Sequence, residues 1–287
     1  MSTLFWGVLV VLLTLYLLIQ IVNDTLWGKK KFFSFFDVLR PSERAAYITG
    51  SFLFVLSLWS LISSARIVEP EYLPTPADTV KALWVSFASG ELITNMAISL
   101  ARVAVGFALA SLIGITSGSI AGTFPRFGSL ILPLNSAVRY IPPTAFIGLT
   151  IIWFGIGETS KIALIFLAIV FYVNQMVADT VALVPKTYIE AAQVLGAKRW
   201  EVFYKVVLSM SVPDLLAVLR INLGAAWTFL IVAELVAAQK GLGYLMAVSQ
   251  RFLQTPKLFA MIFVVGVLGF VSDTFLAFAI SRYSKWK

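Results

Sequence analysis

Long apolar runs separated by short polar segments make up most of the chain: Leu4–Val22, Ala45–Ser63, Met96–Ile120, Phe127–Phe154, Ile162–Leu183, Val212–Ala238 and Leu258–Ile280. Each is near or above the ~17–25 residues that an α-helix needs to cross the hydrocarbon of a bilayer. The pattern predicts an all-α, polytopic transmembrane bundle of seven spans, with its two termini on opposite sides. The first run does not read as a cleaved leader, because no basic residue precedes it and Lys29, Lys30 and Lys31 follow it. The fourth run is interrupted by Pro133, Pro142 and Pro143. A helix broken at membrane depth is tolerated where protein or a water-filled cavity satisfies the freed backbone groups. Both a path-lining helix and a kink set by packing fit that requirement.

One long polar stretch stands out in the second half, EAAQVLGAKRWEVFYKVVLSMSVP, from Glu190 to Pro213. Good helix formers run from Tyr188 to Leu195, and the Glu190 carboxylate suits the positive end of a helix beginning near Pro185. Gly196 can adopt the left-handed conformation that closes it. Beyond it, Trp200, Phe203, Tyr204 and Val207 recur at helical spacing, opposite Lys198, Arg199, Glu201 and Lys205. Two short helices joined at a glycine are predicted. The second can lie along the membrane face, and Ala191 and Ala192 of the first give a partner close approach.

Composition agrees: 60% of the 287 residues are hydrophobic and 13% charged, which excludes a water-soluble globule with one core. The net charge of +8 is sorted by position. Thirteen of the 22 Lys and Arg fall in segments 23–44, 121–126, 184–211 and 281–287, against six in the alternate segments. By the positive-inside rule the first set is cytoplasmic, the N-terminus external and the C-terminus cytoplasmic. The excess of basic residues is thus topological, and nucleic-acid binding is not expected. The absence of cysteine and histidine excludes disulfides, thiolate nucleophiles, histidine triads and the commonest zinc sites.

The three remaining basic residues, Arg102, Arg139 and Arg220, lie inside apolar runs, where a charge costs at least ~2.5–3.5 kcal/mol on insertion scales. A cationic, hydrated path for an anion would explain them. So would snorkelling to a headgroup, or a structural pair inside the bundle. Arg139 lies three residues before the Pro142–Pro143 break, and Asn174 falls halfway along the fifth run, where an amide needs a polar partner. Arg139 and Asn174 are therefore the leading path-lining candidates, followed by Arg102, Arg220, Asn222 and Glu234.

The spacing of the polar stretch narrows the reading. Glu190-Ala191-Ala192, three residues, Gly196, nine residues, then Val206-Val207-Leu208 resembles the EAA loop of ATP-binding-cassette (ABC) importer permeases. Ser209 stands where that pattern has a proline, and Pro213 follows four residues later. From about Tyr72 onward, YLPTPADTV, SLARVAVGFALA, AVRYIPPTAFIGLTIIWFGIGETSK, LRINLGAAWTFLIVAEL and KGLGYLM resemble, in order and spacing, the nitrate, sulfonate, taurine and bicarbonate branch of those permeases. Gly148, Val170 and Val218 depart from its pattern, and Met1 to about Arg44 has no counterpart in the usual six-span layout.

The resemblance implies a six-helix type I permease core over 45–287, with the coupling loop at 184–211, preceded over 1–44 by an additional span and a basic cytoplasmic segment. It implies a bacterial inner-membrane subunit that pairs with a second permease, read here as a homodimer, surrounded by membrane lipid. Two cytoplasmic ATPase subunits would carry ATP and Mg, and an external solute-binding protein would deliver substrate. Glu190, Ala191, Ala192 and Gly196 would form the coupling element. No G-x-x-x-x-G-K-[ST] phosphate loop occurs in this chain, so no cofactor and no ATPase site are expected in it. Intramembrane arginines suit a small oxyanion, whose planar oxygens match guanidinium in bidentate fashion. Related permeases also move thiamine precursors and other heterocycles. The alternative is an ion-gradient-driven secondary transporter, for which Glu234 would be the coupling carboxylate.

Overall fold

The computed structural model describes residues 40–283. The apolar run Leu4–Val22 and the basic segment around Lys29 lie outside the described residues. Each of the other six runs forms a helix or a broken helix. Among the described residues, five helices are long and apolar enough to cross a membrane, or six if one bent pair counts as a single crossing. Two compact units divide the chain, one comprising the residues up to Ala88 together with Ser249–Ala260, and the other the remainder.

In the first unit, α1 (Pro41–Ser64) starts at a proline that gives up no needed donor, and Glu43 Oε2 accepts a hydrogen bond from the Arg40 N–H at 2.9 Å. Its hydroxyls are folded back onto the helix: Ser51, Ser57 and Ser63 each donate to the carbonyl four residues earlier. That satisfies them in an apolar setting. The α2 helix (Pro76–Ala88) is opened by Thr75, which donates to Asp78 and accepts from its N–H. At 13 residues it is too short to cross the ~30 Å hydrocarbon layer, and it leaves Val80, Trp84 and Phe87 exposed along one side. Trp59 joins the unit together, donating from Nε1 to the Pro74 carbonyl and stacking on Phe259.

The second unit is built on α3 (Glu91–Thr123) and α6 (Glu158–Ala182). Glycines at 106, 114, 118 and 122 bring α3 against Ile165, Val173, Asn174 and Ala178 so closely that any side chain there would collide with them. Small residues at a helix interface are how membrane helices gain contact, since lipid supplies no hydrophobic drive between them. Val103, Ala110, Ile165, Ile169, Val173 and Val177 form the resulting core, which α9 (Ser209–Ala237) extends with Leu215, Trp227 and Leu230.

The proline-rich run is a broken span. Helix α4 (Pro125–Arg139) and the following Pro143–Phe154 segment, a 3₁₀ turn leading into α5 (Phe146–Phe154), meet at 83°. Protein groups satisfy the freed backbone: Tyr172 Oη donates to the Arg139 carbonyl, and the Ala145 N–H donates to the Pro142 carbonyl.

The polar stretch departs from expectation in its second half. Helix α7 (Lys186–Val194) forms as predicted, but α8 (Arg199–Val202) does not lie apart as a separate surface helix. It passes through a π-helical turn, Phe203–Leu208, straight into α9, giving one helix from Arg199 to Val236 despite Pro213. The wider π turn moves the register, so Phe203 and Val207 go inward while Trp200 and Tyr204 stay exposed. Two further helices close the chain, α10 (Leu242–Arg251) and α11 (Thr255–Tyr283).

Candidate coupling loop and translocation path

Helix α7 projects from the second unit. Ile189 anchors it to the core, whereas Glu190 and Ala191 are exposed and Ala192 is half-buried. Its C-terminal end is apolar and almost bare, with Val194 88% and Leu195 87% exposed. Gly196 terminates it at φ +84°. The Gly196 N–H donates to the Gln193 carbonyl at 2.9 Å and the Ala197 N–H to the Ala192 carbonyl at 3.0 Å, a complete Schellman closure. The next helix is held by aromatic contacts: Phe124, just past α3, meets the Trp200 ring at 5.5 Å and the Phe203 ring at 5.7 Å. The segment after Gly196 is therefore tied to the Thr123 end of α3.

Near the other end of α3, Asn95, Ser99 and Arg102 enter a closed polar network. Arg102 is 1% exposed. Its guanidinium forks onto Glu158, with Nε–Oε2 at 2.5 Å and Nη2–Oε1 at 2.6 Å, while Nη1 donates to Glu234 Oε1 at 2.6 Å and to the Lys240 carbonyl at 2.8 Å. Glu234, equally buried, also accepts from Ser99 Oγ and from the Gly243 N–H. Gly241, at φ +119°, fits between, with its N–H on Asn95 Oδ1; any Cβ there would strike the Glu234 carboxylate. Ser99 in turn accepts the Leu242 N–H. One ion cluster thus ties the beginnings of α3 and α6 to the end of α9 and to the Ala238–Gly241 turn.

The other predicted residues lie apart from that network. Arg220 pairs bidentately with Asp273 of α11, the second contact at 2.6 Å, and both remain part-exposed. Asn222 is buried and donates to the Val218 carbonyl and to Met176 Sδ. Arg139 ends α4 at the break; its guanidinium lies 5.3 Å from the centre of the Tyr172 ring. No carboxylate pairs with it among the described residues, and its buried Nε has no hydrogen-bond partner among them. Asn174, 5% exposed, donates through Nδ2 to Ser117 Oγ at 2.6 Å, and its Oδ1 has no partner among the described residues. It lines a cavity of about 290 Å³ together with Ser117, Asn135 and apolar side chains of α3, α4 and α6.

Residues 110–285 match the family described as the binding-protein-dependent transport system inner membrane component. The chain belongs to that family. The permease is 34% identical over 250 residues to the taurine transport system permease protein TauC of Escherichia coli, covering 85% of this chain and 91% of that one. It is 28% identical over 253 residues to the bicarbonate transport system permease protein CmpB of a Synechocystis species, covering 84% and 87% of the two chains. Among solved structures, inward-facing forms of the MetNI methionine ABC transporter share its fold, with a TM-score of 0.56 at 19% identity over 65% of this chain and 91% of that one.

These similarities make the permease a multi-pass inner-membrane subunit of an ABC importer, a class that works with an ATPase and a binding protein. They remove the ion-gradient alternative, whose proposed coupling carboxylate, Glu234, is in any case engaged by three donors, Ser99 Oγ, Arg102 Nη1 and the Gly243 N–H. Sequence reasoning passed over Glu158, Asp273, Ser99 and Asn135. Glu158 lay just outside an apolar run, and nothing local marks a partner 56 residues away from Arg102. Asp273, by contrast, is a lone acid inside the last run, and the cost of an unpaired charge there points to a search for a cation.

Proposed function

We propose that this permease imports a small oxyanion of the sulfonate or bicarbonate type and that Arg139 supplies the cation on its path. The observation that carries the reading is the contrast among three intramembrane arginines. Arg102 and Arg220 are neutralised by carboxylates, and Arg139 alone of the three has none among the described residues. The relatives TauC and CmpB, named for taurine and bicarbonate, support an anion. Asn174 joins Arg139 in the path, with Arg220 and Asn222 as further contacts. Arg102 and Glu234 we assign instead to the polar tie that sets the helix ends.

In this reading two copies of the chain pair within the lipid bilayer and enclose the path between them. Two ATPase subunits bind ATP and Mg on the cytoplasmic side, where α7 projects, and the binding protein docks on the external side. The N-terminus is external and the C-terminus cytoplasmic. Residues 1–44 add a peripheral span to a core of 45–287, and the loop 184–211 transmits ATPase closure through Glu190, Ala191, Ala192 and Gly196. Uptake of radiolabelled taurine by the assembled complex in proteoliposomes tests the path. Arg139→Gln lowers uptake at least tenfold, on the order of one lost charge-assisted hydrogen bond, while the complex still assembles. Arg139→Lys restores part of it, because the planar fork is lost. Normal uptake with Arg139→Gln removes this residue from the path.

A further inference from the structure

The short helix α2 presents three different faces. Val80, Trp84 and Phe87, spaced i, i+4 and i+7, form an exposed apolar stripe, on which the Trp84 and Phe87 rings stack with their centres 6.0 Å apart. Thr79 and Ser86, spaced i and i+7, form a second stripe that is buried, and the Thr79 hydroxyl donates to the Thr75 carbonyl at 3.1 Å. Asp78 and Lys81, spaced i and i+3, are exposed on the remaining side, together with Val85. The usual burial is thus reversed: small polar residues face the protein and the largest apolar ones face away from it. A helix packed on one side, apolar on a second and charged on a third fits a place where protein, hydrocarbon and water meet.

The depth of α2 is set by its entry. Trp59, five residues before the end of α1, donates to the Pro74 carbonyl at 2.9 Å and is itself held by stacking on Phe259. The chain therefore enters α2 about 7.5 Å inside the end of α1, at 1.5 Å per residue. With its 24 residues, α1 is about 36 Å long and only slightly exceeds the ~30 Å hydrocarbon layer. That level is the boundary between acyl chains and headgroups, where Trp and Tyr concentrate, and Tyr72 is exposed two residues before Pro74. The chain enters a further span at Glu91, so α2 is a surface segment with one crossing before it and one after. Lipid already bathes α1, whose Phe52 and Val55 are exposed in the middle of the helix. We infer that α2 is an interfacial helix whose Val80–Trp84–Phe87 stripe inserts into the headgroup–acyl boundary of the bilayer, in the external leaflet of the proposed topology. The stripe is covered by lipid, not by a second copy of the chain or by the binding protein. This requires that α1 crosses the membrane and is independent of the substrate and of Arg139.

Fluorescence quenching in lipid nanodiscs tests it. Val80→Cys, Phe87→Cys and Lys81→Cys are made singly in the full-length permease, which has no cysteine of its own, labelled with nitrobenzoxadiazole and then assembled with the ATPase. The quenchers are iodide in the water and lipids carrying a nitroxide either just below the headgroup or at the end of the acyl chain. The shallow nitroxide quenches the dye at Val80→Cys and Phe87→Cys at least about threefold more than at Lys81→Cys, and more than the deep nitroxide does, as insertion by ~5–10 Å demands. Iodide gives the reverse order of positions. The inference is overturned if iodide quenches Val80→Cys as strongly as Lys81→Cys, which puts the stripe in water, or if the deep nitroxide quenches it most, which puts α2 within the hydrocarbon. It is equally overturned if no quencher reaches the stripe, which puts it against protein: a second copy if the protection is present from the start, the binding protein if it appears only on adding that protein. Phe87→Cys, on the same exposed stripe, decides the matter if Val80→Cys fails to assemble.

Discussion

Arg102 is held in an apolar helix because every charge it brings is met at once. Glu158 takes one side of the guanidinium and Glu234 the other, and the backbone at Lys240 absorbs the remaining donor of Nη1. Such a cluster is fragile in one specific way: removing a single partner leaves an uncompensated buried charge, at a cost of ~3–5 kcal/mol, whereas removing both can be nearly neutral. Arg102→Met therefore lowers the thermal stability of the detergent-purified permease markedly, and adding Glu234→Gln recovers a substantial part of the loss. If Arg102→Met melts with the wild type, the network is not a structural tie. Gly241 belongs to the same unit, because its left-handed backbone and its contact with the Glu234 carboxylate both exclude a side chain.

At the scale of elements, α7 combines an anchored base with a bare apolar tip, an arrangement suited to transmitting force rather than merely coating a surface. The direction of the projection depends on Gly196, whose φ of +84° a β-branched residue adopts only with a penalty of at least ~1 kcal/mol. A Gly196→Val complex is expected to insert and bind its ATPase less productively, so that substrate-stimulated ATP hydrolysis and uptake fall together while membrane levels hold. Wild-type values for both would show that α7 is not the lever. This element was legible in the sequence, since its glycine and its helix formers are local signals. The π turn at Phe203–Leu208 was not, because a one-residue widening has no signature in the spacing; of the four residues at helical spacing, Phe203 and Val207 are buried and Trp200 and Tyr204 are exposed. The bend at Pro142–Pro143 was announced by its prolines, but which groups would satisfy it was not, because Tyr172 lies 33 residues from the Arg139 carbonyl it serves. The ion cluster was hidden for the same reason: its carboxylates are 56 and 132 residues from Arg102, so only the three-dimensional fold decides which arginine is paired and which is left free.

At the scale of the whole molecule, the distribution of basic residues and the number of spans must give one consistent topology. Segment 184–211 is rich in Lys and Arg and includes α7, and in the proposed topology the positive-inside rule assigns it to the cytoplasmic side. The same topology makes the turn between α1 and α2 external, because the apolar runs alternate sides along the sequence. The chain contains no cysteine, so single introduced thiols report without background. Glu69→Cys, exposed in that turn, reacts with an impermeant maleimide on intact cells, and Gln193→Cys, exposed on α7, reacts only after permeabilisation. The opposite result at both positions inverts the topology and with it the coupling reading. Ser2→Cys tests the additional span independently. If Leu4–Val22 crosses the bilayer, parity puts Ser2 on the same side as Glu69 and the two label alike; if Ser2→Cys labels only with Gln193→Cys, the first run does not cross, and the permease has the six spans of its core.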